Sequence, residues 1–93
     1  MRTDGYMIEA EYDGATLRVR GKNKPARIAL AGQDHEGDVV IPADQIAEVT
    51  LKDASVMVNG NLRVSTVAGK TYQLHFRKKQ AKDFRALADQ LRR

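Results

Sequence analysis

A run of basic side chains lies between residues 18 and 27, with no acidic residue among them: Arg18, Arg20, Lys22, Lys24 and Arg27. Basic runs of this kind bind phosphate groups of lipid headgroups or of nucleic acids. Lys and Arg at a sheet edge also discourage pairing with other chains. The run therefore predicts either an anion-binding or membrane-binding site or a solvated hairpin edge.

A second basic patch surrounds the start of a predicted C-terminal helix and comprises Arg77, Lys78, Lys79 and Lys82, with Arg85, Arg92 and Arg93 beyond it. Cations in the first turn of a helix oppose the helix macrodipole, so an anionic partner would stabilise them. A charged outer face is also the ordinary state of an amphipathic helix. Both interpretations remain open.

Carboxylates and an imidazole are concentrated in the segment Asp34-His35-Glu36-Gly37-Asp38. These groups can ligate a hard cation, but the glycine stands at the fourth position and no glutamate follows at the twelfth, so the calcium-loop pattern fails. We expect a solvated acidic loop and no metal site.

The sequence also lacks catalytic motifs. His75 has no Ser–His–Asp or HExxH context, and phosphate-binding glycine motifs are absent. We expect no enzyme, no cofactor and no small-molecule substrate.

The length of 93 residues indicates a single domain spanning 1–93, and 42% apolar residues are enough for one core. The absence of cysteine excludes a disulfide scaffold, a zinc ribbon and a thiol nucleophile. We expect no signal peptide and a cytoplasmic protein, free or peripheral at a membrane. The net charge of +4 is unevenly distributed, because residues 32–61 are acidic and residues 62–93 strongly basic.

Alternation of apolar and polar residues predicts antiparallel strands over three quarters of the chain. In residues 6–12, one face carries Tyr6, Ile8, Ala10 and Tyr12, and Asp13-Gly14 predicts a two-residue hairpin turn into residues 16–20. Asn59-Gly60 predicts a second tight hairpin turn. The other predicted strands are 26–31 (with Ile28 and Leu30 facing the core), 39–41, 46–52, 56–58, 62–67 and 71–77.

The period changes near residue 80, where Phe84, Leu87, Ala88 and Leu91 recur at helical spacing. This predicts an amphipathic helix over about 80–92. Residues 42–45 predict a turn or one helical turn, and residues 32–38 a loop. The predicted fold class is mainly β, with six or seven antiparallel strands and one C-terminal helix that covers an open end of the sheet.

One set of turn and core positions comprises Glu11-Tyr12-Asp13-Gly14, Ile41-Pro42, Asn59-Gly60-Asn61-Leu62-Arg63-Val64 and the helix through Phe84 and Leu91. These positions, which span roughly residues 6–92, resemble those of a family of bacterial pleckstrin-homology-like (PH-like) domains. The resemblance implies a bent, seven-stranded sheet or barrel capped by the helix. Members often occur in tandem copies and their molecular role is largely unassigned. The chain lacks a clear phosphoinositide motif, so inositol-lipid recognition is not carried over, and a bacterial and a phage origin are equally compatible with it.

These observations favour a non-enzymatic interaction module that engages a protein partner or self-associates. The alternative is peripheral attachment to an anionic membrane through the 18–24 cluster. Electrostatic binding of nucleic acid is less favoured, because every aromatic side chain falls on a predicted apolar face and leaves no platform for base stacking: Tyr6, Tyr12, Tyr72, Phe76 and Phe84.

Overall fold

Seven strands and two helices make up the computed structural model, which describes residues 1–93. The elements in chain order are β1 (Arg2–Asp4), β2 (Ile8–Tyr12), β3 (Thr16–Gly21), α1 (Lys24–Ala31), β4 (Val39–Pro42), β5 (Ile46–Lys52), β6 (Gly60–Thr66), β7 (Thr71–Phe76) and α2 (Ala81–Leu91). Short 3-10 turns at Ala43–Gln45 and Lys78–Gln80 precede β5 and α2. Neither helix has the length and apolar character needed to cross a membrane.

The strands form two antiparallel sheets in which every neighbour in the sheet is also a neighbour in the chain. The first sheet has the order β1-β2-β3-β4 and the second has the order β5-β6-β7. The predicted fold class, mainly β with a C-terminal helix, is confirmed. In the first hairpin, Asp13 N–H faces Thr16 O, and Gly14 takes a positive φ of 92° that glycine adopts without strain.

The core lies between the inner faces of the two sheets and the apolar stripe of α2. Leu17 and Val19 of β3 and Leu62 and Val64 of β6 belong to one core cluster, and all four are fully buried. On α2 the predicted stripe, Phe84, Leu87, Ala88 and Leu91, is buried throughout. The predicted capping role of this helix is confirmed by that burial.

Residues 5 and 6 connect the two sheets at one corner. Tyr6 N–H donates to His75 O of β7 at 2.8 Å, and Gln80 Nε2 donates to Gly5 O at 3.2 Å. Gly5 has no room for a side chain, since a Cβ there would lie 2.6 Å from His75 O and 2.9 Å from the Phe84 ring. The N-terminal segment is therefore fixed against the end of β7 and the start of α2.

The prediction of a strand at 26–31 is wrong, because this segment is the helix α1. Asn23 Oδ1 caps the helix by accepting from Ala26 N–H at 2.9 Å, and Pro25 stands in the first turn, where no amide donor is needed. Gly32 ends the helix in the left-handed conformation. Leu30 is buried as predicted, but Ile28 is 41% exposed, since helical spacing places the two residues on different faces.

Three further predictions about strands and turns are wrong. Residues 56–58 belong to a loop spanning 53–59, and Asn59-Gly60 is not a tight hairpin turn, because Gly60 begins β6 opposite Phe76. Tyr6 is 42% exposed and not on the core face, because β2 begins only at Ile8 and Met7 interrupts the alternation with a φ of 58°.

Candidate functional site

The basic run is divided between a strand and a helix. Arg18 and Arg20 lie on the outer face of β3, where their cross-strand partners in β2 are Glu11 and Glu9. An acidic residue of the neighbouring strand thus stands opposite each of these two cations. Lys22 follows β3, and Lys24 and Arg27 belong to α1, so the predicted cluster is not one continuous cationic strip.

The acidic loop, residues 32–38, folds back onto the basic run. Asp34 Oδ1 lies 2.7 Å from Arg27 Nε, and Asp38 Oδ2 lies 3.5 Å from Arg18 Nη1. The Arg27 guanidinium, together with the His35 backbone N–H, holds the pKa of Asp34 below its ordinary value, and Asp34 in turn raises the pKa of Arg27. Two of the predicted cations are therefore neutralised within the protein.

The basic run and the acidic loop together enclose an open polar basin of about 640 Å³ without a single apolar lining side chain. Its charged members carry both signs, so the basin does not present the uniformly positive surface that a phosphate-rich partner requires. No three His, Cys, Asp or Glu side chains are grouped so that they could hold a metal ion. The lining residues are Arg20, Gly21, Lys22, Arg27, Asp34, His35, Glu36, Gly37 and Asp38.

An apolar groove of about 400 Å³ opens between α1 and β7, and we call it the α1–β7 groove. Tyr6, Met7 and Ile8 form one wall, and α1 forms the other. Tyr6 and Met7 keep 42% and 40% of their surface exposed, so this apolar surface is open to solvent. The lining from α1 and its cap is Asn23, Pro25, Ala26, Ala29 and Leu30, and β7 contributes Gln73 and His75.

The surroundings of the α1–β7 groove are cationic. The Arg77 guanidinium lies 4.8 Å from the centre of the Tyr6 ring, a cation–π geometry at the rim. Lys22 donates its backbone N–H to Met7 O at 2.9 Å. Lys24 lies in the sequence between Asn23 and Pro25, which both line the groove. No carboxylate lines the groove, and the first turn of α1 contains no acidic residue to offset its dipole.

Met7 holds a strained backbone conformation at the edge of this groove. Its φ of 58° is in the left-handed region, and it is the one non-glycine residue of the chain with a positive φ. Hydrogen bonds on both sides impose it, from Lys22 N–H to Met7 O and from Gly5 N–H to Ile8 O, each 2.9 Å long. Strain of this kind is found preferentially at binding and catalytic sites.

The second basic patch is divided among different surroundings. Arg77 covers Tyr6, and Lys79 lies in a shallow depression with Asp4 and Asp83. Lys78 and Lys82 have no ion-pair partner, whereas Arg85, one turn after Lys82, pairs with Asp53 of the 53–59 loop at 3.2 Å. The patch therefore extends along α2 towards that loop.

The sequence reasoning missed two apolar surfaces. One is the α1–β7 groove, whose α1 wall was predicted to be a strand. The other is the apolar tip, Val56, Met57 and Val58, which are 81%, 90% and 56% exposed. The signal for the tip was three consecutive apolar residues beside an Asn-Gly pair, and the same signal is typical of a buried strand.

A scan against models of protein families found no match, and searches of curated proteins and of solved structures found none either. The resemblance to bacterial PH-like domains therefore stays a prediction, and the functional interpretation depends on the geometry described above.

Proposed function

We propose that the protein is a non-enzymatic interaction module that holds a short segment of a protein partner in the α1–β7 groove. The observation that carries the proposal is the open apolar groove with a cationic rim and no carboxylate. An apolar side chain of the partner would fill the space between Met7 and Ala29. Such a groove, apolar inside with a few polar groups at its margin, is the usual form of a recognition site.

The charge of the rim selects the kind of segment. Arg77 lies over the Tyr6 ring at the rim, Lys22 and Lys24 flank the lining residue Asn23 in the sequence, and the N-terminus of α1 adds a partial positive charge. Acidic residues on either side of the partner's apolar anchor would meet these cations, which increases both the association rate and the specificity. We infer that the partner segment carries Asp or Glu next to a Leu, Met or Phe anchor.

The strain at Met7 supports the same location. A left-handed conformation at a residue with a long side chain costs about 1–2 kcal/mol, and the fold retains it beside the groove. The side chain of Met adapts to apolar surfaces of different shape, which suits a residue that lines a recognition groove.

Selection from a library of displayed random peptides tests the proposal. We expect enriched peptides to share an apolar anchor flanked by acidic residues. Ala29→Glu, which adds a carboxylate inside the groove, should reduce binding of a selected peptide at least about tenfold, as expected when a like charge is introduced at a contact. Ile28→Glu is the matched control, because this neighbour on α1 is 41% exposed and does not line the groove.

Peptides whose binding is the same in the Ala29→Glu and Ile28→Glu variants would place the site elsewhere and overturn the proposal. A selection that enriches basic peptides would contradict the charge argument. Sedimentation velocity of the unliganded chain adds a separate readout, because self-association lost in Ala29→Glu would identify a second copy of the chain as the occupant.

The order of elements gives a reason to propose the family as well. The resemblance implies a bent sheet or barrel of seven strands capped by the last helix, and the chain has seven strands, in sheets of four and three, and a terminal helix, with α1 inserted between β3 and β4. We therefore propose that the chain is a PH-like domain, on the combined support of that order and of the turn and core residues.

A further inference from the structure

The apolar tip is held in a defined geometry by its own turn. Ser55 N–H donates to Val58 O at 2.8 Å, and Val58 N–H donates to Ser55 Oγ at 3.1 Å. Val56 and Met57 occupy the two central positions of this turn, where they are 81% and 90% exposed. Contiguous apolar side chains at this level of exposure mark interaction surfaces in a folded protein.

The base of the same loop is fixed to the body of the protein. Ala54 packs against the core, and Asp53 pairs with Arg85 of α2 at 3.2 Å. Gly60, the first residue of β6 after the loop, lies so close to Phe76 that a Cβ would be 2.4 Å from the ring. The tip therefore projects from a rigid base at the end of the molecule where β7 passes into α2.

Free cations lie at this same end. Arg77 and Lys78 follow directly after Phe76, which pairs with Gly60 at the end of the loop. Lys82 lies three residues before Arg85 on α2, so the two side chains lie on the same side of the helix. Lys52 ends β5 at the other side of the loop. Lys52, Lys78 and Lys82 are exposed and form no ion pair. Exposed apolar side chains with unpaired cations at the same end of the molecule match the layers of an anionic bilayer, whose charged headgroups lie above the acyl chains.

We propose that the 53–59 loop docks on an anionic lipid surface, with the apolar tip inserted below the headgroups and Lys52, Lys78 and Lys82 against the phosphates. This site shares no residue with the lining of the α1–β7 groove or with the 18–24 cluster, in which Arg18 is paired with Asp38. The proposal adds a membrane-docking function and does not depend on the groove's having a partner.

Tryptophan reporters test insertion directly, because the chain contains no tryptophan. Met57→Trp should show a blue-shifted emission when phosphatidylcholine vesicles containing phosphatidylserine are added at about 0.1 M salt. The matched control is Val67→Trp, at a 62% exposed position in the β6–β7 turn at the opposite end of β6, and its emission should not shift. Emission from Met57→Trp that is unchanged by these vesicles, even at low salt, would overturn the proposal.

Co-sedimentation with the same vesicles separates the contributions. Met57→Glu should reduce the partition coefficient at least about tenfold, and Lys78→Gln and Lys82→Gln about fivefold each. Val67→Glu should bind like the unmodified chain.

Equal binding of the unmodified chain to vesicles with and without phosphatidylserine would contradict the role of charge. The proposal would be overturned if the double variant Lys22→Gln/Lys24→Gln no longer bound the vesicles while Lys78→Gln/Lys82→Gln still did. That result would assign the lipid-binding surface to the 18–24 cluster. A Met57→Trp emission shift that depends on protein concentration and not on vesicles would identify a protein interface instead.

Discussion

The rings of Phe76 and Phe84 stack with their centroids 4.6 Å apart and their planes 13° from parallel. Phe76 ends β7 and Phe84 lies in α2, so this one contact joins the second sheet to the helix that covers it. Both side chains are fully buried. The contact combines a large buried apolar area with the additional stabilisation that offset aromatic pairs provide.

Phe84→Ala should therefore lower the free energy of unfolding by about 3–5 kcal/mol, because it removes the stack and leaves a cavity beneath α2. Urea denaturation monitored by circular dichroism measures the loss. Ala86→Gly, on the exposed face of the same helix, is the control and should cost only about 1 kcal/mol. A loss below 1 kcal/mol for Phe84→Ala would mean that α2 does not close the core.

Gly60→Ala should destabilise the protein although the backbone at Gly60 has no positive φ. The new Cβ would lie 2.4 Å from the Phe76 ring and 2.8 Å from the Ala54 backbone nitrogen, so both the stack and the loop base must shift. We expect a loss of about 1–3 kcal/mol, as for other overpacked sites. Asn59→Ala, at the exposed neighbour, should change the stability by less than about 0.5 kcal/mol. Equal stabilities of the two variants would show that the close approach at Gly60 is not a constraint.

Met7 permits a test of backbone strain that is independent of its side chain. Met7→Gly and Met7→Ala both remove the side chain, but only glycine adopts a φ of 58° without cost. Met7→Gly should therefore be more stable than Met7→Ala by about 1 kcal/mol. At Tyr6, which has no positive φ, the order should be reversed, with alanine the more stable variant. Thermal unfolding of the four variants compares the two positions, and the same order at both would contradict the strain at Met7.

The ion pair between Asp34 and Arg27 should make the attachment of the acidic loop sensitive to acid. The pKa of Asp34 is depressed in the folded protein below its ordinary 3.8. The pair therefore contributes its full stabilisation above the ordinary pKa, and loses it as the pH falls through the depressed value. Amide chemical shifts of residues 33–38, followed from pH 6 towards acid, should change below about pH 4.

Asp34→Asn should show that detached state already at neutral pH. Asp44→Asn is a suitable control, because Asp44 forms no ion pair. A loop whose shifts are insensitive to both acid and Asp34→Asn would show that the ion pair does not hold it. The exposed position of the pair implies a small overall effect on unfolding.

Five of the seven strands and the terminal helix were predictable because their sequence periods are unambiguous, whereas β1 was not predicted. Alternation identified β2, β3, β5, β6 and β7, and the helical spacing from Phe84 to Leu91 identified α2 within one residue at each end. The helix α1 was missed because it is short and because Ile28 and Leu30 also fit an alternating strand. The signals that define it are the Asn23 cap and the Gly32 terminator, and these lie outside the apolar pattern.

The candidate sites were less predictable, because they depend on contacts between distant segments. The basic run and the acidic loop were each recognised, but the pairing of Arg27 with Asp34 follows from the turn that α1 makes between them. The α1–β7 groove requires Tyr6 and Ala29 to lie near the same end of β7, and no local pattern encodes that approach. The exposure of Met57 similarly depends on the 3.1 Å hydrogen bond that closes the turn at Ser55.

The bond from Gln80 Nε2 to Gly5 O joins residues 75 positions apart, whereas the strands of each sheet pair only with neighbours in the chain. Hairpins between neighbouring strands close short loops and form early, but the contact between α2 and the N-terminal segment must wait for the last residues. During synthesis both sheets can assemble while Phe76 and Leu62 remain uncovered. We therefore expect a nascent chain arrested before residue 81 to expose the inner face of its second sheet to chaperones, and to become resistant to protease only after α2 emerges.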